Sequence, residues 1–382
     1  MTLSRRNILY LLGGGVIVAA GATIGSAVTR KPLTAQAPWA LAGSYEDARK
    51  NALSFALLAP NPHNRQPWLV DLSTPDEVWL YADLDRLLPA TDPQNRQITI
   101  GLGCFTELLR MAAAQNGIRA DITAFPEGAS PLGLDRRPVA RAVFTPDPSI
   151  TPDPLFPHVL ARRSLKEPFD TTRPLPADTM AQVTMLAQTI HALGGSIADA
   201  DIAFWRNLTR DALQIEVETP QTFQESVDLF RIGHAEVDAN PDGIDFTGPL
   251  FESLRLAGQF DRATAADPTT AAYRAGMAAV HANADTAMGH LWLVSRGNLR
   301  ADQLAAGADW LRLNLACTAL GISFHPLSQA LQEYAEMATP YARVHEILAP
   351  TGGTVQMLAR IGFGPPSPPS PRWTLETRLK DA

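Results

Sequence analysis

Cysteine is nearly missing from this chain: there are two in 382 residues, Cys104 and Cys317. They lie far apart in apolar runs, and neither stands in a CxxC pair or beside a histidine at ligand spacing. No metal site is expected, and both read as small buried hydrophobes rather than as a disulfide. Charge is also scarce, at 19% of residues, and its balance is acidic, with a formal charge of −7 and a pI near 5.6. Without a basic stripe to neutralise phosphates, a nucleic acid is excluded as the main partner. Nucleotide and hydrolase fingerprints are lacking as well. No G-x-G-x-x-G follows a strand pattern, no G-x-x-x-x-G-K-[ST] occurs, and no G-x-S-x-G occurs. A dinucleotide fold, a P-loop and an α/β-hydrolase therefore have no support.

What is present begins with an address. Ser4-Arg5-Arg6-Asn7-Ile8-Leu9 leads into an uncharged run from Ile8 to Thr29 that contains five glycines, and Arg30-Lys31 close it. The pattern resembles a twin-arginine signal, a route that carries folded proteins. The alternative is a membrane anchor, since such a run at ~1.5 Å per residue just spans a ~30 Å hydrocarbon core. Residues 1–37 are accordingly set aside as signal or anchor. Ala35-Gln36-Ala37 and Gly25-Ser26-Ala27 are the candidate cleavage sites.

The mature chain divides at residues 145–157, TPDPSITPDPLFP, whose prolines can neither continue a helix nor donate to a sheet. A first half, 38–144, and a longer second half, 158–382, flank this linker. They echo one another. Gly103 to Gly117-Ile118 and Gly307 to Gly321-Ile322 each enclose an apolar helical stretch between glycines. Trp310, Leu313, Cys317 and Leu320 form one core-facing stripe. Strands are expected at Glu77–Tyr81, Arg119–Ala124 and Ala140–Phe144. Helices are expected at Tyr45–Leu58, Leu102–Asn116, Pro176–Leu193, Thr269–Arg296 and Ala301–Leu320. Long helices around few strands indicate the α+β class.

Two polar segments stand out as chemistry. Ala59-Pro60-Asn61-Pro62-His63-Asn64-Arg65-Gln66-Pro67-Trp68 is a proline-fixed loop whose Asn64 and Gln66 amides suit a heteroaromatic edge. Arg162-Arg163-Ser164-Leu165-Lys166-Glu167-Pro168-Phe169 gathers two guanidiniums, a hydroxyl and an ammonium, which suits a phosphate and an anionic ring edge. His63 reads as a hydrogen-bonding loop residue. His234, His281, His290 and His325 have no acidic partner at telling spacing, so none is assigned to proton transfer.

These segments, APxxxNxQPW and RRSxKxxF, resemble the hallmark motifs of the nitroreductase family of FMN enzymes. Leu320-Gly321 through Pro326 to Gln329 is similar to the family's loop facing flavin N5. Arg360-Ile361-Gly362-Phe363-Gly364 with Pro371-Arg372 is similar to its last strand and basic phosphate contact. Their order and the N-terminal signal look most like the Acg-like branch, in which one chain holds two nitroreductase-like halves. The resemblance implies two tandem degenerate halves forming an intramolecular pseudo-dimer, a monomer with one composite FMN site. In that site Arg162, Arg163 and Ser164 would hold phosphate and ribityl, and Lys166 would lie near N1/O2. Asn64, Gln66 and Pro62 would approach from the other half, Ser328 or Gln329 would offer a backbone donor to N5, and Arg372 would reach the phosphate. Ser328-Gln329 stand where the family often has an acidic residue and glycine, and Pro62-His63 are bulkier than usual.

The implied activity is electron transfer from NAD(P)H through FMN to a nitroaromatic, quinone or similar flat acceptor, with no side-chain acid or base. The rival is a protein that holds FMN without turnover, with Asn240–Arg262 as a lid over the ring.

Overall fold

Helix and strand patterns succeed one another along residues 30–380, the part of the chain that this computed structural model describes. The paired arginines and the uncharged run after them lie outside the described residues. Among the described residues, no helix is long and apolar enough to cross a membrane.

The first half opens with helices α1 (Leu33–Leu41) and α2 (Ala48–Ala56). Strands β1 (Trp68–Asp71) and β2 (Glu77–Ala82) alternate buried and partly exposed residues, as strands with one face on a core must. The long helix α3 (Arg96–Ala114) follows, then β3 (Ile118–Ala124) and β4 (Ala140–Pro146). The second half contains α4 (Thr179–Ala187), β5 (Ala192–Ser196), α5 (Asp199–Glu218), α6 (Pro220–Asp228) and β6 (Phe230–Ile232). Next come α7 (His234–Ala239), β7 (Ile244–Phe246), α8 (Pro249–Leu256), α9 (Arg262–Ala266) and α10 (Ala271–Asp285). It ends with β8 (Gly289–Ser295), the long α11 (Arg300–Ala319), β9 (Ser323–Pro326), α12 (Ala338–Leu348) and β10 (Thr354–Gly362).

The class is α+β, and the two main sheets share one plan. Their strand orders are β1-β2-β4-β3 and β5-β8-β10-β9, and every pairing is antiparallel. In each sheet the order is first, second, fourth, third, and in each the long helix joins the second strand to the third. Thus the likeness between halves extends from the glycine-bounded helices to the topology around them. Gly117 (φ 65°) and Gly321 (φ 68°) end those helices in the left-handed region, where a side chain would be strained.

The two long helices cross in the centre of one continuous core. Phe105 and Leu108 of α3 share it with Trp310, Leu313 and Cys317 of α11. Cys104 Sγ donates to Gly307 O at 3.1 Å, and burial pushes both thiols up to about 12, so neither is a nucleophile. Polar ties reinforce the joint. Arg312 Nη1 reaches Glu107 at 3.1 Å and Asp153 at 2.6 Å, and Arg96 donates to the carbonyls of Gln356 and Leu331, both at 2.5 Å.

Two expected helices are shorter than their patterns. Thr269–Arg296 ends at Asp285, and its apolar tail HLWLVS is the central strand β8. Pro176–Leu193 ends at Ala187, and Ala192–Ser196 pairs with β8 as an edge strand. Each helix stops at a short polar break, Gln188-Thr189 with Gln188 at φ 50° in one and Asp285-Thr286 in the other, and the apolar residues beyond form strands, which periodicity alone does not separate from buried helix.

Candidate functional site

The proline-fixed loop of the first half is tightly wound. His63, Asn64 and Gln66 have φ of 46°, 51° and 52°, a cluster of left-handed non-glycine residues that surrounding contacts must maintain. Gln66 is the brace. Its amide N–H donates to Asn61 Oδ1 at 2.7 Å, and its side chain donates to Pro241 O at 2.6 Å and accepts from Trp373 N at 2.8 Å. Sequence reasoning put Gln66 at a ring edge; the structure buries it fully and commits its amide to backbone partners. Pro62 and Asn61 sit against Gly101 of α3, where a methyl would lie 3.1 Å from Asn61 Cβ.

Asn64 meets the second half directly. Its Nδ2 donates to Pro371 O at 3.0 Å, and its Oδ1 accepts from Arg372 Nη1. Arg372 Nη2 continues to Leu58 O at 3.2 Å and Ala59 O at 3.1 Å. Arg162 Nη2 donates to the same Leu58 carbonyl at 2.8 Å. Two buried guanidiniums from distant segments therefore converge on one oxygen, and Asn64 is tied to them.

The electrostatics of this pair are unbalanced. Among the described residues neither Arg162 nor Arg372 forms an ion pair, and the Nε of each is buried without a partner. Burial, then the neighbouring Arg162 and Arg163, push Arg372 down to about 9; burial foremost pushes Arg162 down to about 10. Both remain charged at neutral pH, and although the half-buried Asp245 attracts Arg372, no carboxylate among the described residues comes within 4 Å of either guanidinium. Arg163 adds a third charge, held by Ser367 O at 3.2 Å and stacked on Trp39.

Ser164 is half-buried beside these arginines, and Lys166 is exposed. Lys166 lies near enough to His63 for its charge to add to burial in holding that imidazole down at about 4. His63 is therefore neutral at physiological pH and its Nδ1 is buried.

Arg360 fixes this segment from beneath. Fully buried, it donates to Leu165 O at 3.2 Å and Glu167 O at 2.8 Å, the carbonyls flanking Lys166, and stacks 3.9 Å from the Phe169 ring. Its Nε also donates to His325 Nδ1 at 3.0 Å, which puts the histidine proton on Nε2. His325 lies in β9, just ahead of Ser328 and Gln329, so one guanidinium joins both segments. The Ser328 carbonyl accepts from Gln97 of α3 at 3.4 Å, one turn before Gly101. Gln329 and Gln332 steady the buried carboxyl of Glu216, Gln332 at 2.7 Å; burial raises that carboxyl to about 7.

Asp242 escaped the sequence analysis. It accepts from Arg86, from Arg65 at 3.5 Å and from Arg231 at 2.8 Å. Gly243 N donates to Asn64 O at 3.3 Å, so the start of the expected lid is fastened to the loop bearing Asn64. The Asn-Pro-Asp-Gly turn sequence was the only signal, and it says nothing of partners so far along the chain.

No family model matches the chain. It is 27% identical over 354 residues to the "Putative NAD(P)H nitroreductase acg" of Mycobacterium tuberculosis, covering 88% of this chain and 97% of that protein. A second protein of that organism with a "Putative NAD(P)H nitroreductase" name is 24% identical over 360 residues, covering 88% and 92%. An uncharacterized protein there is 34% identical over 127 residues, covering 32% and 36%. Among solved structures, a putative nitroreductase of Anabaena variabilis aligns with 92% of this chain and 93% of its own, at 11% identity and a TM-score of 0.42. The FMN-dependent nitroreductase NfnB of Mycobacterium smegmatis, in complex with NADPH, aligns with 53% and 84%, at 18% and 0.30. Over most of its length, then, this α+β chain is similar to proteins that bear the nitroreductase name.

Proposed function

We propose that the protein is an FMN-dependent oxidoreductase of the nitroreductase type, with one flavin site assembled from both halves of a single chain. The observation that carries the reading is the convergence of Arg162 and Arg372, buried, charged and in no ion pair among the described residues, beside Asn64 of the other half. A phosphate monoester dianion would supply the missing charge and accept from the orphaned Nε groups. The names of the relatives point to the same chemistry.

In this reading Arg162, Arg163 and Arg372 hold the phosphate, and Ser164 and Asn64 hold the ribityl chain or ring edge. Lys166 supplies positive potential at the pyrimidine side, and the Ser328-Gln329 backbone lies at the reacting edge. A bound FMN supplies hydride acceptance from NAD(P)H and electron delivery to a nitroaromatic, quinone or similar flat acceptor. The protein binds, orients and sets potential; neutral His63 transfers no proton in this scheme. The equivalence of the halves makes the chain a pseudo-dimer, complete as a monomer. The twin-arginine pattern adds export in the folded state to the extracytoplasmic side, which paired R5K and R6K substitutions would block in a fractionation assay.

A specific observation favours a second reading, flavin holding without turnover: the segment after Asn240 is fastened to the Asn64 loop through Asp242, Pro241 and Gly243. Stopped-flow mixing of the FMN-loaded protein with NADPH or NADH separates the two. Bleaching of the flavin band within seconds is expected of the oxidoreductase; a band that persists for many minutes with both donors leaves the holding role.

A further inference from the structure

Helix α1 immediately follows the N-terminal run, and its first residues fall within the stretch that sequence reasoning set aside as an address. In the structure it is built into the wall of the arginine cluster. Ala35 is buried, its N–H donates to Asp238 at 2.9 Å, and its carbonyl accepts the backbone N–H of Arg372 at 2.8 Å. Gln36 donates to Pro369 O at 3.1 Å. One turn on, Trp39 is buried and its indole N–H donates to Ser370 O at 2.8 Å. That bond fixes the ring plane. The Arg163 guanidinium lies 4.8 Å and that of Arg372 5.7 Å from the ring centroid.

We infer that Trp39 is a positioning residue of the anion site: its indole face holds the Arg163 and Arg372 guanidiniums in place for the flavin phosphate. The physical reason is that two like charges, close together and partly desolvated, repel and would splay apart. A π face attracts both without neutralising either, so it gathers cations and leaves their charge available to an anion. A carboxylate in the same place would compete with the phosphate. The carbonyl of Ala35 serves the same end by fixing the Arg372 backbone. Arg372 is pushed down by burial and by the neighbouring arginines, which agrees with a cluster in need of restraint. Residues 33–41 are thus part of the site, and processing after Ala37 would remove the Ala35 contact.

This inference rests on the flavin reading, and the test keeps the two apart. FMN affinity is measured by quenching of flavin fluorescence for the full chain, W39L, W39F, R163A and the double variant W39L/R163A. Leucine keeps apolar bulk without a π face, and phenylalanine keeps a face. W39L is expected to weaken FMN binding about tenfold and W39F no more than about threefold. If the ring acts through the guanidiniums, the W39L penalty must shrink to about threefold or less in the R163A background. An equal penalty in both backgrounds, or W39L binding as tightly as the unaltered chain, overturns the inference. Failure of the unaltered chain to bind FMN overturns the flavin reading instead. Should W39L not fold, W39F alone decides: FMN binding weakened more than tenfold despite a retained aromatic face contradicts the inference, and near-unaltered binding supports it.

Discussion

Gly103 and Gly307 face each other where the two long helices cross. A Cβ on Gly103 would stand 2.0 Å from Leu304 O, and one on Gly307 would stand 2.0 Å from Ile100 O. Each helix is thus notched for the other's backbone, and the notches are the same glycines that begin the two echoing stretches. The reciprocity is what a two-fold related pair of helices requires, here within one chain.

Substituting either glycine by alanine forces the helices apart. G307A is expected to lower unfolding free energy by about 3 kcal/mol, since backbone cannot yield as a flexible side chain can. Urea denaturation measures it. A loss below about 0.5 kcal/mol would show that the joint is loose.

Arg372 ties Asn64 to Leu58 and Ala59, so removing it should disconnect the halves at the site and delete a phosphate donor. R372A is expected to weaken FMN binding by about 10- to 100-fold, the range for one or two charge-assisted bonds. Calorimetric titration reads this; unchanged affinity would place the phosphate elsewhere.

Glu216 gives a pH signature. Its carboxyl titrates near 7 in the folded chain against the usual 4.5, because burial disfavours the charge. Between those values the folded state binds the proton more tightly. Its contribution to stability is therefore full below pH 4.5 and is lost as pH rises through 7. E216Q, which keeps the acceptor for Gln332, should gain about 3 kcal/mol over the unaltered chain at pH 8 and almost nothing at pH 4.5. Thermal melts across that range test it, and a pH-independent difference would contradict the assignment.

Asp242 holds three arginines at the root of the segment after Asn240. D242N removes their shared counter-charge and should release that segment. Hydrogen exchange over residues 240–262 is expected to rise at least about tenfold, with faster FMN dissociation. Unaltered exchange would mean the segment is held by its own packing.

Much of this arrangement was legible beforehand. The Glu77–Tyr81 strand is readable as a short, punctuated run of β-branched and aromatic residues, and α11 from its apolar stripe. Arg162, Asn64 and Arg372 were named from motifs, and the fold joins them. Trp39 was hidden because the residues before it resemble a processing site, and its role depends on Arg163 and Arg372 approaching from far along the chain. Asp242 was hidden for the same reason: a turn sequence reveals its own bend, not the three guanidiniums that gather on it. The backbone partners of Gln66 are hidden in the sequence because an amide's type does not reveal whether backbone groups will consume it.

The central claim is one flavin on one chain. Native mass spectrometry of the purified 41.2 kDa protein after FMN addition tests it most directly. A monomer carrying one FMN is expected, with the flavin lost in an R162A/R372A variant. A chain that takes up no flavin, or takes it up only as a dimer, would contradict it.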